Sequence, residues 1–246
     1  MKKYLATMAV TALAGAISAS AFAFEIGERS AKFYNETSTT ANHNFHMVVV
    51  QKIDMSEIMS ADAYQQLKPA QRVRYNRFEY NETSALSAER QTTFDGYGRV
   101  VKDVNSFARG NQWYSVDYVN KTYDRLPELP GMVKSIKDLF TPYFADNMPE
   151  GGFDEFTGYD YDRRYKADKE MYFYFEKDTD VLKGYEISSN PRYNIVELSE
   201  EVDVEKAFAL PPEDFRRQAN EAMRAFATKL VNKTGDAGAV KAKKKK

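Results

Sequence analysis

Residues 169–177 read KEMYFYFEK, and this aromatic run decides the fold class. Apolar Met171, Phe173 and Phe175 alternate with charged or phenolic neighbours, which is the two-residue period of a β-strand. One face of such a strand belongs in a core, while the other face carries tyrosine rings that tolerate water or a binding partner. The run therefore predicts a strand in a sheet whose two faces differ in character.

Similar alternating segments lie on both sides of this run, separated by turn signals such as Asp95–Gly98 and Gly110–Asn111. Their close succession is typical of an antiparallel meander. The other predicted strands are 43–53, 71–81, 88–95, 98–107, 112–119, 121–126, 153–164, 181–188 and 192–203.

A few helical segments accompany these strands. Residues 55–70 predict a short helical or irregular excursion that Pro69 ends, and a helix of about twelve residues follows Gly131. An amphipathic helix is predicted from Glu213 to Val231. A sheet with more strands than its helices can cover must curl, close or leave an apolar face open. We therefore predict an α+β fold with a strongly curved antiparallel sheet, a half-barrel of roughly ten strands with a few covering helices.

The composition excludes several classes of site. The chain has 246 residues, of which 14% are aromatic, and it contains no cysteine. This excludes disulfides, thiolate metal sites, cysteine nucleophiles and lipid attachment through an N-terminal cysteine. Residues 24–240 hold 28 basic and 36 acidic side chains, a net charge of −8. Because residues 24–240 carry this excess of acidic side chains, we expect no nucleic-acid partner.

Residues 1–23 have the three parts of a secretory signal peptide. Lys2 and Lys3 form a positive start, residues 4–17 are apolar, and Ala21–Ala23 offers small residues for cleavage. The alternative is a transmembrane anchor, which would need an apolar stretch of about 20 residues. We predict cleavage after Ala23 and a soluble periplasmic protein without a lipid anchor.

The remaining chain contains no internal repeat or linker, so we predict one domain over residues 24–234 and a disordered lysine-rich tail over 235–246. We expect a monomer. The tail ends in four consecutive lysines, and each lysine near an anionic lipid surface contributes up to ~1 kcal/mol to binding. An anionic membrane surface is therefore a possible partner of Lys243, Lys244, Lys245 and Lys246.

No motif in the chain indicates catalysis. His43 and His46 are the only histidines, and on a strand positions three apart point to opposite faces, so we expect no metal site there. Asp160 and Asp162 resemble a calcium loop but lack its regular ligand spacing. The sequence contains no nucleophile elbow, phosphate-binding glycine loop or zinc-protease motif. We therefore expect no enzyme and no cofactor, since a hydrolase would need a carboxylate pair or metal site that the pattern does not reveal.

An apolar face left open by the curved sheet is the better candidate site, because such openings bind ligands. The alternative is that the apolar strand residues simply form a packed core. The candidate ligand-binding residues are Phe45, Met47, Val49, Trp113, Met171, Phe173 and Phe175.

Three stretches carry a resemblance to a known superfamily. Residues 71–78 read QRVRYNRF, residues 110–117 read GNQWYSVD around the single tryptophan, and residues 208–211 read FALP. With 182–186 and 202–203, which look like a closing strand pair, they resemble the LolA/LolB-like superfamily of periplasmic lipoprotein carriers. The resemblance implies an unclosed antiparallel barrel capped by helices.

If this mode of action carries over, the resemblance implies a carrier that shelters lipid or lipoprotein acyl chains without chemistry. Each buried methylene would contribute ~0.8 kcal/mol to such binding. The alternative is a non-enzymatic envelope interaction or stress-sensing module that docks on another protein, because fold resemblance does not decide function.

Overall fold

The computed structural model describes residues 24–127, 135–145, 149–166, 169–188, 190–221, 223–225 and 227–229. The predicted signal peptide, 1–23, and the predicted lysine-rich tail, 235–246, lie outside the described residues. Among the described residues, no helix combines the length and apolarity that crossing a bilayer requires.

The described residues form twelve strands, most of them at the predicted positions. They are β1 Phe45–Asp54, β2 Val73–Glu82, β3 Ser87–Asp95, β4 Val100–Arg109, β5 Gln112–Asp117, β6 Thr122–Pro127, β7 Glu150–Asp154, β8 Tyr159–Lys166, β9 Lys169–Glu176, β10 Leu182–Ile187, β11 Tyr193–Ser199 and β12 Arg216–Arg217.

The helices between these strands are short. They are α1 Glu28–Glu36, α2 Ala61–Gln65, α3 Ile136–Phe140 and α4 Val204–Ala207, with 3₁₀ turns at Met55–Glu57, Pro69–Gln71 and Thr141–Tyr143. Residues 221, 223–225 and 227–229 are also helical. The prediction of an α+β protein dominated by antiparallel sheet is confirmed.

The chain divides into two compact units. The large unit comprises the described residues of 36–141 and 191–246, and the small unit comprises those of 1–35 and 142–190. The predicted single domain over 24–234 stays a prediction.

The large unit contains eight strands in the order β12-β6-β5-β4-β3-β2-β1-β11. All neighbours pair antiparallel except β12 and β6, which run parallel. The sequential order of β1 to β6 is the predicted meander. One face carries a core in which the rings of Phe107 and Tyr114 stack with centroids 5.2 Å apart. The other members of this core are Ala88, Val116, Ala207 and Phe208.

The small unit contains the antiparallel sheet β7-β8-β9-β10 and α1. The single strand predicted over 153–164 is wrong, because β7 and β8 are joined there by a turn. Asp154 Oδ1 accepts a hydrogen bond from the N–H of Phe156, Asp154 Oδ2 accepts one from Thr157 Oγ1, and Gly158 has φ +74°. An aspartate that binds the backbone two residues on, followed by a glycine with positive φ, forms a turn inside an aromatic run.

The predicted start of the C-terminal helix at Glu213 is also wrong. Arg216 and Arg217 pair with Thr122 and Tyr123 as β12, so an edge of β6 is covered there. Asn220 Oδ1 accepts a hydrogen bond 3.0 Å long from the N–H of Met223, which places the helix cap at Asn220. The predicted strand over 153–164 is two strands, and β12 was not predicted. These two differences account for twelve strands rather than the roughly ten predicted.

Candidate functional site

Four of the seven predicted ligand-binding residues lie on one face of the large sheet. The paired registers place Met47, Tyr80, Glu89, Ser106, Ser115 and Asp124 in one row across β1 to β6. Phe45 and Val49 flank Met47 at two-residue spacing, and Trp113 flanks Ser115 in the same way. Since alternate residues of a strand share a face, all four belong to this surface, which we call the Met47 face.

The β1 side of the Met47 face is closed. Phe45 is 3% exposed and Met47 and Val49 are 0% exposed, while Trp113 is half-buried. Glu82 lies opposite Phe45 on β2, and its carboxylate accepts a hydrogen bond from the N–H of Ile136 at the start of α3. This contact ties α3 to the sheet beside Phe45.

Glu82 is itself buried. Burial raises the pKa of Glu82 to about 7, and the hydrogen bond from Ile136 offsets only part of this effect. Partial desolvation also raises the pKa of Glu89, which lies in the same row as Met47, although this side chain is exposed. Two carboxyl groups with raised pKa values therefore lie on a face that is apolar along β1.

The β6 side of the Met47 face carries a polar cavity of about 470 Å³. Its floor is built from β5 and β6, and the segment 216–220 forms one wall. The lining residues are Ser115, Asp117, Asn120, Thr122, Tyr123, Asp124, Arg216, Gln218, Ala219 and Asn220.

Asp124 anchors the wall of this cavity. Its side chain is completely buried, and Oδ2 accepts a hydrogen bond from the N–H of Asn220 at 2.8 Å. Oδ1 accepts hydrogen bonds from Arg224 Nη2 and from the N–H of Arg125, both at 2.9 Å. Asn220 Nδ2 in turn donates to Ser115 Oγ at 2.9 Å. The negative charge of Asp124 is thereby compensated, as a buried charge requires.

The other three predicted residues lie in the small unit on β9. Met171 and Phe173 are 0% exposed and Phe175 is 1% exposed. The ring of Phe173 is contacted by Phe33 of α1 and by Phe144, with centroids 6.0 and 5.8 Å away. Phe173 and its neighbours therefore lie beneath short covering segments.

α1 is fastened to this sheet by a buried polar network. Asp162 Oδ1 accepts from the N–H of Gly27 at 3.2 Å and Oδ2 accepts from the N–H of Ser30 at 2.9 Å. Arg164 Nε donates to Ser30 Oγ and Nη2 donates to the Gly27 carbonyl. A carboxylate at the first turn of a helix satisfies free N–H groups and suits the helix dipole.

The opposite face of the small sheet carries tyrosine rings, and we call it the tyrosine face. Tyr161 and Tyr172 have ring centroids 5.8 Å apart, and Tyr172 stacks on Tyr174 at 6.0 Å. Arg163 lies over the ring of Tyr165, 4.5 Å from its centroid. The carboxylates on this face are those of Glu150, Asp154, Glu170, Glu176 and Glu186.

The two histidines have protein partners. His43 Nε2 lies 2.7 Å from the carbonyl of Glu36, and this contact is the main cause of its raised pKa. His46 Nδ1 lies 2.7 Å from Asn81 Oδ1. Within the part of the chain that the structure describes, no group of three or more histidine, aspartate or glutamate side chains could hold a metal ion.

Sequence reasoning missed the polar cavity and the burial of Glu82. One signal for the cavity was present on β5, where Trp113, Ser115 and Asp117 alternate with the core residues Tyr114 and Val116. The wall residue Asn220 lies 105 positions along the chain from Ser115, so no local sequence pattern predicts the contact between them.

No family model matches the chain, and no curated protein matches it. Among solved structures, it is similar to an uncharacterized conserved protein from Thermus thermophilus, with a TM-score of 0.41 and 9% identity over 78% of this chain and 99% of that chain. It is also similar to PNGF-II in two crystal forms, with TM-scores of 0.30 and 0.31 and 7% identity over 74% of this chain. The match spans about a third of PNGF-II, 32% and 33% of the two chains. TM-scores this low carry no argument about function.

Proposed function

We propose that the chain is a non-enzymatic periplasmic carrier that shelters an acyl chain of a lipid or lipoprotein. In this proposal the sheet curves into a half-barrel, and the Met47 face is its interior. The observation that supports the proposal is the shared face of Phe45, Met47, Val49 and Trp113, to which the short helix α3 is tied through Glu82. In this proposal α3 is the cover of the apolar residues on β1.

A carrier needs its apolar residues covered when it is empty, because exposed apolar area costs about 25 cal/mol per Å². The cover must also be small enough for a ligand to displace. α3 has five residues, and Ile136 and Phe140 are its buried members. An acyl chain that replaced these side chains would gain ~0.8 kcal/mol for each methylene buried, so several methylenes would offset the loss of the cover's contacts.

The test is to extract the protein, purified without detergent, with organic solvent and to analyse the extract by mass spectrometry. We expect a lipid in stoichiometric amount, and we expect added lipid to change the fluorescence of Trp113 in the stripped protein. An unrelated periplasmic protein purified from the same cells is the control. Absence of lipid together with unchanged Trp113 fluorescence would contradict the proposal.

A second candidate function rests on the tyrosine face. The five carboxylates of this face outnumber the cations that pair with them. Arg163 pairs with Glu150 and Glu170, and Lys183 pairs with Glu176. Tyrosine rings beside carboxylates suit a basic protein segment, because cations lie favourably over aromatic faces. In this alternative the chain is an envelope interaction module, and the same purification should yield a stable protein complex that contains no lipid.

A further inference from the structure

We propose that the polar cavity on the Met47 face binds a small zwitterion of the class of short peptides with free termini. This cavity lies at the β6 side of the face, whereas most apolar residues of the proposed acyl-chain site lie on β1, and its ligand is polar. The inference rests on three features of the cavity: the carboxylate of Asp117 and the guanidinium of Arg216 at opposite sides, further polar lining groups in which the charge of Asp124 is already compensated, and a suitable volume.

The carboxylate and the guanidinium belong to one row of paired residues. Asp117 on β5 pairs with Thr122 on β6, and Thr122 pairs with Arg216 on β12. Neighbouring strands lie about 4.8 Å apart, so the Cα atoms of Asp117 and Arg216 are about 10 Å apart across the cavity. All three residues line the cavity, with Thr122 in the middle.

Asp117 keeps capacity for a further donor. Oδ1 accepts from the N–H groups of Val119 and Asn120, and Oδ2 accepts from Asn120 Nδ2 at 2.8 Å. A carboxylate has about four lone-pair sites, so one site remains on Oδ2. The three donors are uncharged, and an ammonium group would supply the missing positive charge.

Arg216 is the complementary group. Among the described residues, no carboxylate forms an ion pair with Arg216, whereas the guanidinium of Arg224 already binds Asp124. Arg216 is exposed at the rim, so its guanidinium can turn towards a ligand carboxylate and donate two parallel hydrogen bonds.

The uncharged groups near these two charges are hydroxyls and amides, and the charge of Asp124, which also lines the cavity, is compensated by Arg224. Ser115 accepts from Asn220 Nδ2, which leaves its own O–H as a donor, and Thr122 and Gln218 add further polar side chains. Such groups suit the peptide bond of a ligand, which needs one donor and one acceptor. A cavity of about 470 Å³ also lies within the size range of small-molecule sites.

The test is calorimetric titration of the full chain with three dipeptides: glycylglycine, dialanine and glycylphenylalanine. The one that binds tightest is then compared with its N-acetylated form and its C-terminal amide. We expect each blocked form to bind more weakly by a factor of at least about ten, because each loses one charge-assisted contact.

Arg216→Gln and Arg217→Gln form the matched pair of variants. Both arginines are exposed on β12, but only Arg216 lines the cavity. Arg216→Gln should bind the free dipeptide and its amide equally, while Arg217→Gln should behave like the unmodified protein. Asp117→Asn should abolish the preference for the free amine over the N-acetyl form.

Three results would overturn the proposal in protein that circular dichroism shows to be folded. They are no binding of any of the three dipeptides, equal binding of free and blocked forms, and an equal loss in Arg216→Gln and Arg217→Gln. Binding of neutral sugars with the same affinity as the dipeptides would also overturn it, since it would show a site indifferent to charge. Lipid extraction is a separate measurement, so either proposal can fail without the other.

Discussion

The carboxylate of Glu82 accepts a hydrogen bond from the backbone N–H of Ile136, and this contact joins β2 to the first residue of α3. Glu82 is 2% exposed, and burial raises its pKa from 4.5 to about 7. The folded protein therefore binds a proton at Glu82 more tightly than the unfolded chain does. The resulting stabilisation is fully present below pH 4.5 and is lost as pH rises through about 7.

Glu82→Gln should remove this pH dependence. The loss of stability between these pH values should be on the order of 3 kcal/mol in the unmodified protein, and most of it should be absent from the variant. Urea unfolding on both sides of the interval measures the difference. Glu155→Gln, at an exposed turn position, is the control and should keep the full dependence. If the free energy of unfolding of Glu82→Gln changed with pH as much as that of the unmodified protein, another group would be responsible.

Phe173→Ala and Tyr172→Ala should separate the two faces of β9. Phe173 is 0% exposed and packs against Phe33 and Phe144, so its truncation should lower the free energy of unfolding by about 3–5 kcal/mol. Tyr172 is half-buried on the tyrosine face, so its truncation should cost clearly less. Denaturant unfolding compares the two variants, and equal losses would mean that the two faces are equally packed.

Much of the sheet follows from local alternation in the sequence. β1 to β6 and β9 each show the two-residue period, and Asp95–Gly98 and Gly110–Asn111 mark turns in which Gly98, Gly110 and Asn111 have positive φ. The pairing of β1 with β11 joins Met47 to Leu198 and has no local signal, because it depends on the path of the whole chain. The turn after Asp154 was missed because its flanking segments read as one continuous aromatic run.

The candidate site was predictable only in part. The apolar residues of β1 and β9 stand out because they alternate with polar neighbours. That Trp113 shares a face with Met47 follows from four successive strand registers, and none of these is fixed by a single segment. The cavity wall depends on Asn220 reaching Asp124 and Ser115, contacts between parts of the sequence that carry no common pattern.

Asp162→Ala should weaken the attachment of α1. The buried carboxylate accepts from the N–H groups of Gly27 and Ser30, and its loss leaves both donors without this partner. We expect a loss of about 2 kcal/mol in the free energy of unfolding. Asp180→Ala is the matched control, because its ion pair with Lys32 is exposed and such pairs contribute roughly 0–1 kcal/mol. A cost for Asp180→Ala as large as that for Asp162→Ala would contradict this ranking.

Asp124→Ala should release the segment that forms the cavity wall. Its carboxylate binds the N–H of Asn220 and the guanidinium of Arg224, so we expect a loss of about 2–3 kcal/mol. Amide hydrogen exchange should speed up most at Asn220 and in the helical residues after it. Asp214→Ala removes an exposed pair with Lys121 and should leave exchange there unchanged. Uniform acceleration across the large unit would instead indicate general destabilisation.

Deletion of residues 236–246 should leave thermal stability unchanged but weaken association with anionic vesicles. The five lysines of this segment each contribute up to ~1 kcal/mol near an anionic surface, and the acidic remainder of the chain opposes the same association. Cosedimentation with vesicles that contain phosphatidylserine measures the effect, and vesicles of neutral lipid are the control. Because salt screens these charges, binding of the full chain should fade as ionic strength rises towards the physiological range. If the full chain fails to bind anionic vesicles even at low salt, the lysines do not act as a membrane contact, and delivery of a lipid to a membrane surface loses this support.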